Sequence, residues 1–334
     1  MMTETRYDVL GLGNAIVDVI ARTDDDFLSL HNLNKGAMTL IEESRAEALF
    51  HAMGPAEIIS GGCAANTASG VASLGGRAAF IGKVRKDTLG ELFAQNIRAF
   101  GVDFETTPAT SGPATARSFI MVTPDGERTM NTYLGACQGL GPEDVAAKAV
   151  EMSAYIYLEG YLWDPPLAKE AFRKAARIAH GAGRKVALTL SDAFCVDRYR
   201  DEFMELLRSR LVDILFANEH ELKSLFTTED FETAVAGLRE TGALGVVTRG
   251  AEGAMTVTRE DTVQVPAFPI DRLVDTTGAG DLFAGGFLFG LARGFPDKEC
   301  LRLGALAAAE VIQHIGARPQ RSLKEMAQQE GLTA

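Results

Sequence analysis

An α/β fold with a parallel sheet covered on both faces is what this sequence predicts, and three observations carry the prediction. After Pro142, runs of strand character take turns with stretches of helical spacing. Glycine-rich turns stand where strands give way to helices of small residues. The chain is 334 residues long and 46% hydrophobic, enough to bury a large core, and no repeat, low-complexity tract or linker-like run divides it.

In chain order, YDVLGLG (7–13) reads as a buried strand ending in glycines. EESRAEALFHAM (42–53) and AANTASGVASLG (64–75) have helical spacing, the second with small residues that permit close packing. GRAAFIGKV (76–84) is strand-like, and TLGELFAQNIRAFG (88–101) is a helix closed by Gly101. Residues 115–135 form two β-rich runs around Pro124-Asp125-Gly126, a hairpin with its turn. Further strands fall at 154–160, 185–191, 212–218 and 244–250, with a helix over 166–183. A late hairpin (253–268) precedes a glycine-rich loop and two apolar helices. The division expected is a core of residues 1–17, 42–102 and 136–334, with a small β excursion from 18–41 and 103–135.

Charge and composition exclude several functions. Acidic residues number 45 against 33 basic, a net charge of −12, and no stretch concentrates Lys and Arg. Nucleic acid and anionic membrane are therefore not expected partners. Cys63, Cys137, Cys195 and Cys300 lie far apart without a CxxC pair, against a zinc ribbon or disulfide framework. MMTETRYDVLGLG lacks the basic start and apolar core of a signal peptide. LFAGGFLFGLA is only about half of the ~20 residues a membrane span needs. A soluble, cytoplasmic protein is expected.

Three turns deserve weighing. GLGNAI (11–16) invites a dinucleotide-binding reading but has Ile16 where the third glycine belongs, and no G-x-x-x-x-G-K-[ST] occurs. GGCAAN (61–66) opens a small-residue helix: its glycines permit close approach of a ligand, or simply tight helix–sheet packing with Asn66 as a cap. In TTGAGD (276–281), Gly278, Ala279 and Gly280 present little side chain, so their N–H groups and the helix start could line an anion hole. Plain capping by Asp281 is the alternative.

Together, GGCAANTASGVASLGG and DTTGAGDLFAGGFL resemble the paired signatures of the ribokinase-like carbohydrate kinases, the PfkB family. The likeness runs in order along nearly the whole chain. One departure is Arg85 in KVRKD, at a position usually held by glycine. The resemblance implies a three-layer α/β/α core that binds ATP and a β-lid that closes over a small hydroxylated substrate. It implies Asp281 as the base that takes the proton of a primary alcohol, with the N–H groups of Gly278, Ala279 and Gly280, and Thr277 beside them, on the transferring phosphoryl group. Asn218 and Glu221 in NEHE resemble the motif that organises Mg²⁺ and phosphates through water; on their own they read as a helix cap. Thr248, Gly250 and Gly253 resemble the turn beside the nucleotide. The helix expected over 303–317 would flank the ATP base, with His314 as a contact, and Arg128 resembles the lid arginine that reaches the phosphates. Some relatives hold a monovalent cation such as K⁺ near the position of Asp275. The lid could pair two subunits in a homodimer or cover a monomer.

The stretch GNAIVDVIARTDDDFLSLHNLNKGAM is most similar to the adenosine kinase branch. That likeness implies that Asn14 and Asp18, with Gly61, Gly62 and Asn66, grip ribose hydroxyls, and it implies a place in purine salvage. Ile16, Leu134, Tyr161 and Trp163 are candidates for the slot around a purine, although GYLWDPP follows a strand where core packing would also use its aromatics. A sugar kinase of the same family, acting on ribose or fructose, stays open. A nucleotide-binding dehydrogenase and a non-catalytic binding protein are the remoter readings.

Overall fold

The computed structural model describes residues 5–332; the opening MMTE, on which the reading of the N-terminus partly rests, lies outside them. Its strands are β1 (Tyr7–Leu12), β2 (Ile16–Arg22), β3 (Met38–Leu40), β4 (Glu57–Gly61), β5 (Ala78–Ile81), β6 (Val102–Phe104), β7 (Ala116–Val122), β8 (Arg128–Tyr133), β9 (Ser153–Glu159), β10 (Lys185–Thr189), β11 (Ile214–Asn218), β12 (Leu244–Thr248), β13 (Ala254–Val257) and β14 (Thr262–Val265). They form a nine-stranded sheet, ordered β14-β13-β12-β11-β10-β9-β1-β5-β6, and a five-stranded one, ordered β3-β8-β7-β2-β4. The large sheet is parallel from β6 to β12 and ends in the antiparallel hairpin β13–β14. This is the ribokinase-like α/β architecture with its second, smaller sheet.

Alternation along the strands sorts side chains into two layers. Leu10, Leu12, Ile156, Leu158, Val186 and Leu188 face one cluster, filled by Phe172 of α6 (Pro166–Gly181), Phe203 of α7 (Ala193–Arg208), Leu222 of α8 (Glu219–Phe226) and Leu238 of α9 (Phe231–Thr241). Val9, Phe80, Tyr157, Ala187 and Phe216 face the other. There they meet Ala68 of α3 (Cys63–Ser73), Phe93 of α4 (Thr88–Ala99), Phe287 of α10 (Ala279–Ala292) and Leu301 of α11 (Asp297–Val311). The predicted double covering is what the chain builds. None of the helices among the described residues is long and apolar enough to cross a membrane, and all four cysteines are free.

Strand order reverses direction around β1, with β5 and β6 on one side and β9 to β12 on the other. In open α/β sheets the crevice at such a point, beyond the carboxyl ends of the strands, is where ligands bind. Here it lies between the ends of β1 and β9, at Gly13, Asn14, Glu159 and Gly160.

The smaller sheet differs from the division expected. It takes Ile16 and Val17, and all of β4, which pairs antiparallel with β2. Phe104, placed in the excursion, belongs with β6 in the large sheet. β4 is five residues long and joins the sheet through a partner about forty residues away, so no local turn chemistry announced it. One face of this sheet (Val17, Val19, Phe119, Met121) packs against Ala46 and Leu49 of the helix Glu43–Ala52. Asp18, Ser118 and Thr132, out of phase with those residues, belong to the opposite face. The helix expected over 303–317 starts earlier and stops at Val311; Gly316, at φ 100°, turns the chain away.

Candidate active site

The two glycine-rich turns are brought side by side. Helices α3 and α10 pack along each other, and Asn66 of α3 donates from Nδ2 to Asp281 Oδ2 at 2.8 Å. Thr67, one residue on, donates to the backbone carbonyl of Asp281 at 3.0 Å. Asp281 lies in the first turn of α10, behind Gly278 at φ 79°, a conformation few side chains tolerate. Burial pushes its carboxyl up to about 6, against the opposing pull of Asn66, Cys63 and the charge of Arg318. A carboxylate with that affinity for protons can still be ionised near neutral pH and accept one from an alcohol.

The other turn is held from below. Glu159, at the end of β9, accepts from Asn14 Nδ2 at 2.8 Å and from Ala64 N at 3.2 Å, tying the exit of β1 to the start of α3. Burial raises its carboxyl to about 7. Gly62, at φ 98°, lets the chain pass the Asn14 carbonyl: a Cβ there would stand 2.1 Å from that oxygen. Asp18 of β2 lies against Gly61, where any side chain would displace its carboxylate. Burial also raises Asp18 to about 7, with Arg318 and Arg128 pulling the other way. Asn14, Asp18, Gly61, Gly62, Asn66 and Asp281 thus form one polar cluster at the switch point of the sheet. Gly11 and Gly13 of the GLGNAI turn are used for packing, since added side chains would meet the Ala64 carbonyl and Glu159. The space these two glycines leave is taken up by the protein itself.

Arg128, in β8, reaches across from the smaller sheet. It pairs with Asp275 at 3.0 Å and donates to Thr277 Oγ1 at 2.7 Å. Its Nε and Nη2 are buried without a partner. Unpaired buried donors are costly, and an anionic ligand would satisfy them. Asp275 accepts from Thr277 N at 3.0 Å and Gly316 N at 3.0 Å besides Arg128, so both carboxylate oxygens are engaged.

On the far side of the first turn of α10 opens a cavity of about 550 Å³. Thr248, Gly250 and Gly253 line it, together with Ala279 and Gly280. Its remaining walls are largely apolar: Phe268, Ile270, Leu273, Ala305 and Ile312. A Cβ on Gly280 would meet nothing within 4 Å. Asn218 and Glu221 form a reciprocal cap at the start of α8, with Glu221 N donating to Asn218 Oδ1 and Asn218 N to Glu221 Oε2, each at 2.9 Å. Burial raises Glu221 to about 7, reinforced by the charges of Asp192 and Asp281. Among the described residues, no cation forms an ion pair with it. An oxygen-only set with uncompensated negative charge suits a hard divalent cation held through water.

Two expected residues do not join the site. Trp163 is fully buried between Phe172 and Phe203, with its indole N–H given to Glu202. It packs the core on the opposite layer, as strand-end aromatics often do. His314 lies beyond the end of α11 and turns its Nε2 to the Glu310 carboxylate at 3.2 Å; the helix face that lines the cavity is Ala305, Ala308, Ala309 and Ile312. Tyr161 is half-buried and donates to Asp192 at 2.7 Å, while Ile16 and Leu134 border the smaller sheet. Arg85 is absorbed by a bridge to Ala109, and Asp87 caps α4 normally. Sequence reasoning passed over Glu159 and Arg318; Phe194, 77% exposed at the start of α7, lies two residues from the Asp192 that holds Tyr161. A carboxylate ending the otherwise apolar run AYIYLEG was the available signal for Glu159.

Residues 40–323 match the pfkB family carbohydrate kinases. Among solved structures, the chain is 57% identical to the adenosine kinase of Sinorhizobium meliloti, covering 98% of this chain and 100% of that one with a TM-score of 0.91. It is 54% identical to a protein described as a probable sugar kinase from Rhizobium etli CFN 42, over 98% and 100% of the two chains with a TM-score of 0.93. Adenosine kinase 2 of Arabidopsis thaliana is 27% identical over 95% of this chain and 97% of its own length.

Proposed function

Because this chain belongs to the pfkB family of carbohydrate kinases, and is a kinase, we propose that it transfers the γ-phosphoryl group of ATP to the 5'-hydroxyl of adenosine. The observation that carries the reading is the position of Asp281. It ends the first turn of α10 between the polar cluster of Asn14, Asp18 and Asn66 and the nucleotide-sized cavity that Gly280 leaves open.

Asn14, Asp18 and Asn66 would take the ribose hydroxyls, since carboxylates and amides accept O–H donors well. With the 5'-oxygen beside Asp281, the carboxylate removes its proton as the oxygen–phosphorus bond forms and the bond to ADP breaks. A positioned base of this kind contributes about 10²–10⁴-fold. The N–H groups of Gly278, Ala279 and Gly280, at the positive end of α10, would hold the phosphoryl oxygens, with Thr277 and the two unpartnered N–H groups of Arg128 beside them. Thr248, Gly250, Gly253 and the apolar wall opposite would take the adenine of ATP. Asn218 and Glu221 would hold Mg²⁺ through water, where it would neutralise phosphate charge. Ile16, Leu134, Tyr161 and the exposed ring of Phe194 are the apolar groups offered to the acceptor's purine.

The test is a panel of adenosine, other nucleosides, ribose and fructose with ATP and Mg²⁺, read as ADP release and product mass. Adenosine is expected to be the best acceptor by kcat/KM. Phosphorylation of a free sugar without adenosine would establish the sugar-kinase reading instead.

A further inference from the structure

We propose that Arg318 is a positioning residue for phosphoryl transfer, fastening the smaller sheet to helix α3 and standing as the internal counter-charge to Asp18 and Asp281. The inference rests on the functional reading above. Arg318 follows the end of α11 in the segment that also supplies Gly316 to Asp275. It is 4% exposed, and its guanidinium fans out over both ends of the Gly61–Gly62 turn. Nε and Nη2 donate to the Ser60 carbonyl at 2.9 and 2.8 Å, and Nη2 also to Ser60 Oγ at 3.1 Å. Nη1 donates to the Ala65 carbonyl at 2.5 Å and to Ser69 Oγ. Ser60 lies in β4, next to the glycine that touches Asp18; Ala65 immediately precedes the Asn66 that holds Asp281. One planar fork therefore sets the distance between the strand carrying the acceptor site and the helix carrying the partner of the base.

The charge needs a separate explanation. Every acceptor that touches the guanidinium is neutral, and a buried cation without a contacting carboxylate is expensive to keep. A glutamine could make part of the same fastening without that cost. Around Arg318 stand Ser60 of β4, Ser69 of α3, the Phe100 ring at 5.3 Å beyond α4, Asp18 of β2 and Asp281 of α10. Only the last two are charged, and both are acids whose ionised form burial disfavours. Asp281 also has the Cys63 thiol and, farther off, Glu159 as neighbours, while Asp18 has Arg128. Arg318 is the cation felt by both acids, and it favours their ionised forms.

The experiment compares wild type with Arg318→Lys, Arg318→Met and Ser69→Ala, measuring kcat, KM for adenosine, the pH profile of kcat/KM and Tm. Arg318→Met should lower kcat/KM and move its acidic limb to higher pH by about half a unit or more. Arg318→Lys keeps the charge but loses the fork, so its limb should stay at the wild-type position while KM rises about tenfold. Ser69→Ala should lower Tm without moving the limb. A folded Met variant with the wild-type limb would overturn the proposal, as would a Lys variant with wild-type KM. Should Arg318→Met fail to fold, the Lys variant decides by KM and limb together. Wild-type enzyme inert toward adenosine would count against the functional reading and not against Arg318.

Discussion

The turns at Gly61–Gly62 and at Gly278–Gly280 look alike in sequence and are used in opposite ways. Each opens a helix, and each needs a glycine in the left-handed region, Gly62 and Gly278. At the first turn the space freed by glycine is filled by the protein: the Asn14 carbonyl lies against Gly62 and the Asp18 carboxylate against Gly61. At the second, a Cβ on Gly278 would meet Ala317 at 2.7 Å, but Gly280 faces open space beside a cavity. The first turn is packed at both glycines, whereas the second is packed at Gly278 and open at Gly280, where the proposed reading puts the phosphates. A glycine-rich motif marks function only when something other than the protein occupies the space it leaves.

The comparison can be broken most severely at Asp281. Asp281→Asn keeps the bond to Asn66 in reach and the charge out of the cavity, so nucleotide binding should survive while kcat falls by about 10²–10⁴-fold. Equilibrium binding alongside steady-state kinetics checks both halves. Next in size, Arg128→Met removes the two donors that await an anion, and about a tenfold to hundredfold loss of kcat/KM is expected. Gly280→Val then separates the turns directly. Its backbone is helical and its surroundings empty, so Tm should hold, while KM for ATP rises about tenfold or more through occupation of the phosphate space. Gly62→Ala is the mirror case: with φ positive and the Asn14 carbonyl in the way, about 1–3 kcal/mol of stability should be lost, seen in chemical denaturation. The smallest effect concerns pH. Since the base must be ionised and its carboxyl is raised to about 6, kcat/KM should fall as pH drops through that region.

Much of the fold was legible because its strands are short, apolar and locally bounded. The strands after Pro142 emerge within one or two residues of the expected ends wherever glycine or a capping residue stops them. β4 was not legible, since EIISG carries no turn signal and its partner β2 is remote in sequence. The site divides in the same way. Asp281, Asn66 and the TRGAEG turn sit in motifs whose spacing fixes their place. Glu159 and Arg318 act by closing distances between segments 95 and about 250 residues apart, and nothing next to them in the chain records that. Trp163 and Tyr161 show the limit for aromatics. Two residues apart on one 3₁₀ turn, they diverge, one into the core and the other toward Asp192.

Strand β4 runs through Gly61 and Gly62 into α3 without a connecting loop. On the proposed reading, the cover of the acceptor site and the helix that holds the base are one continuous segment with a two-residue joint, so a tilt of the cover would be carried to Asn66 and would part the base from its partner.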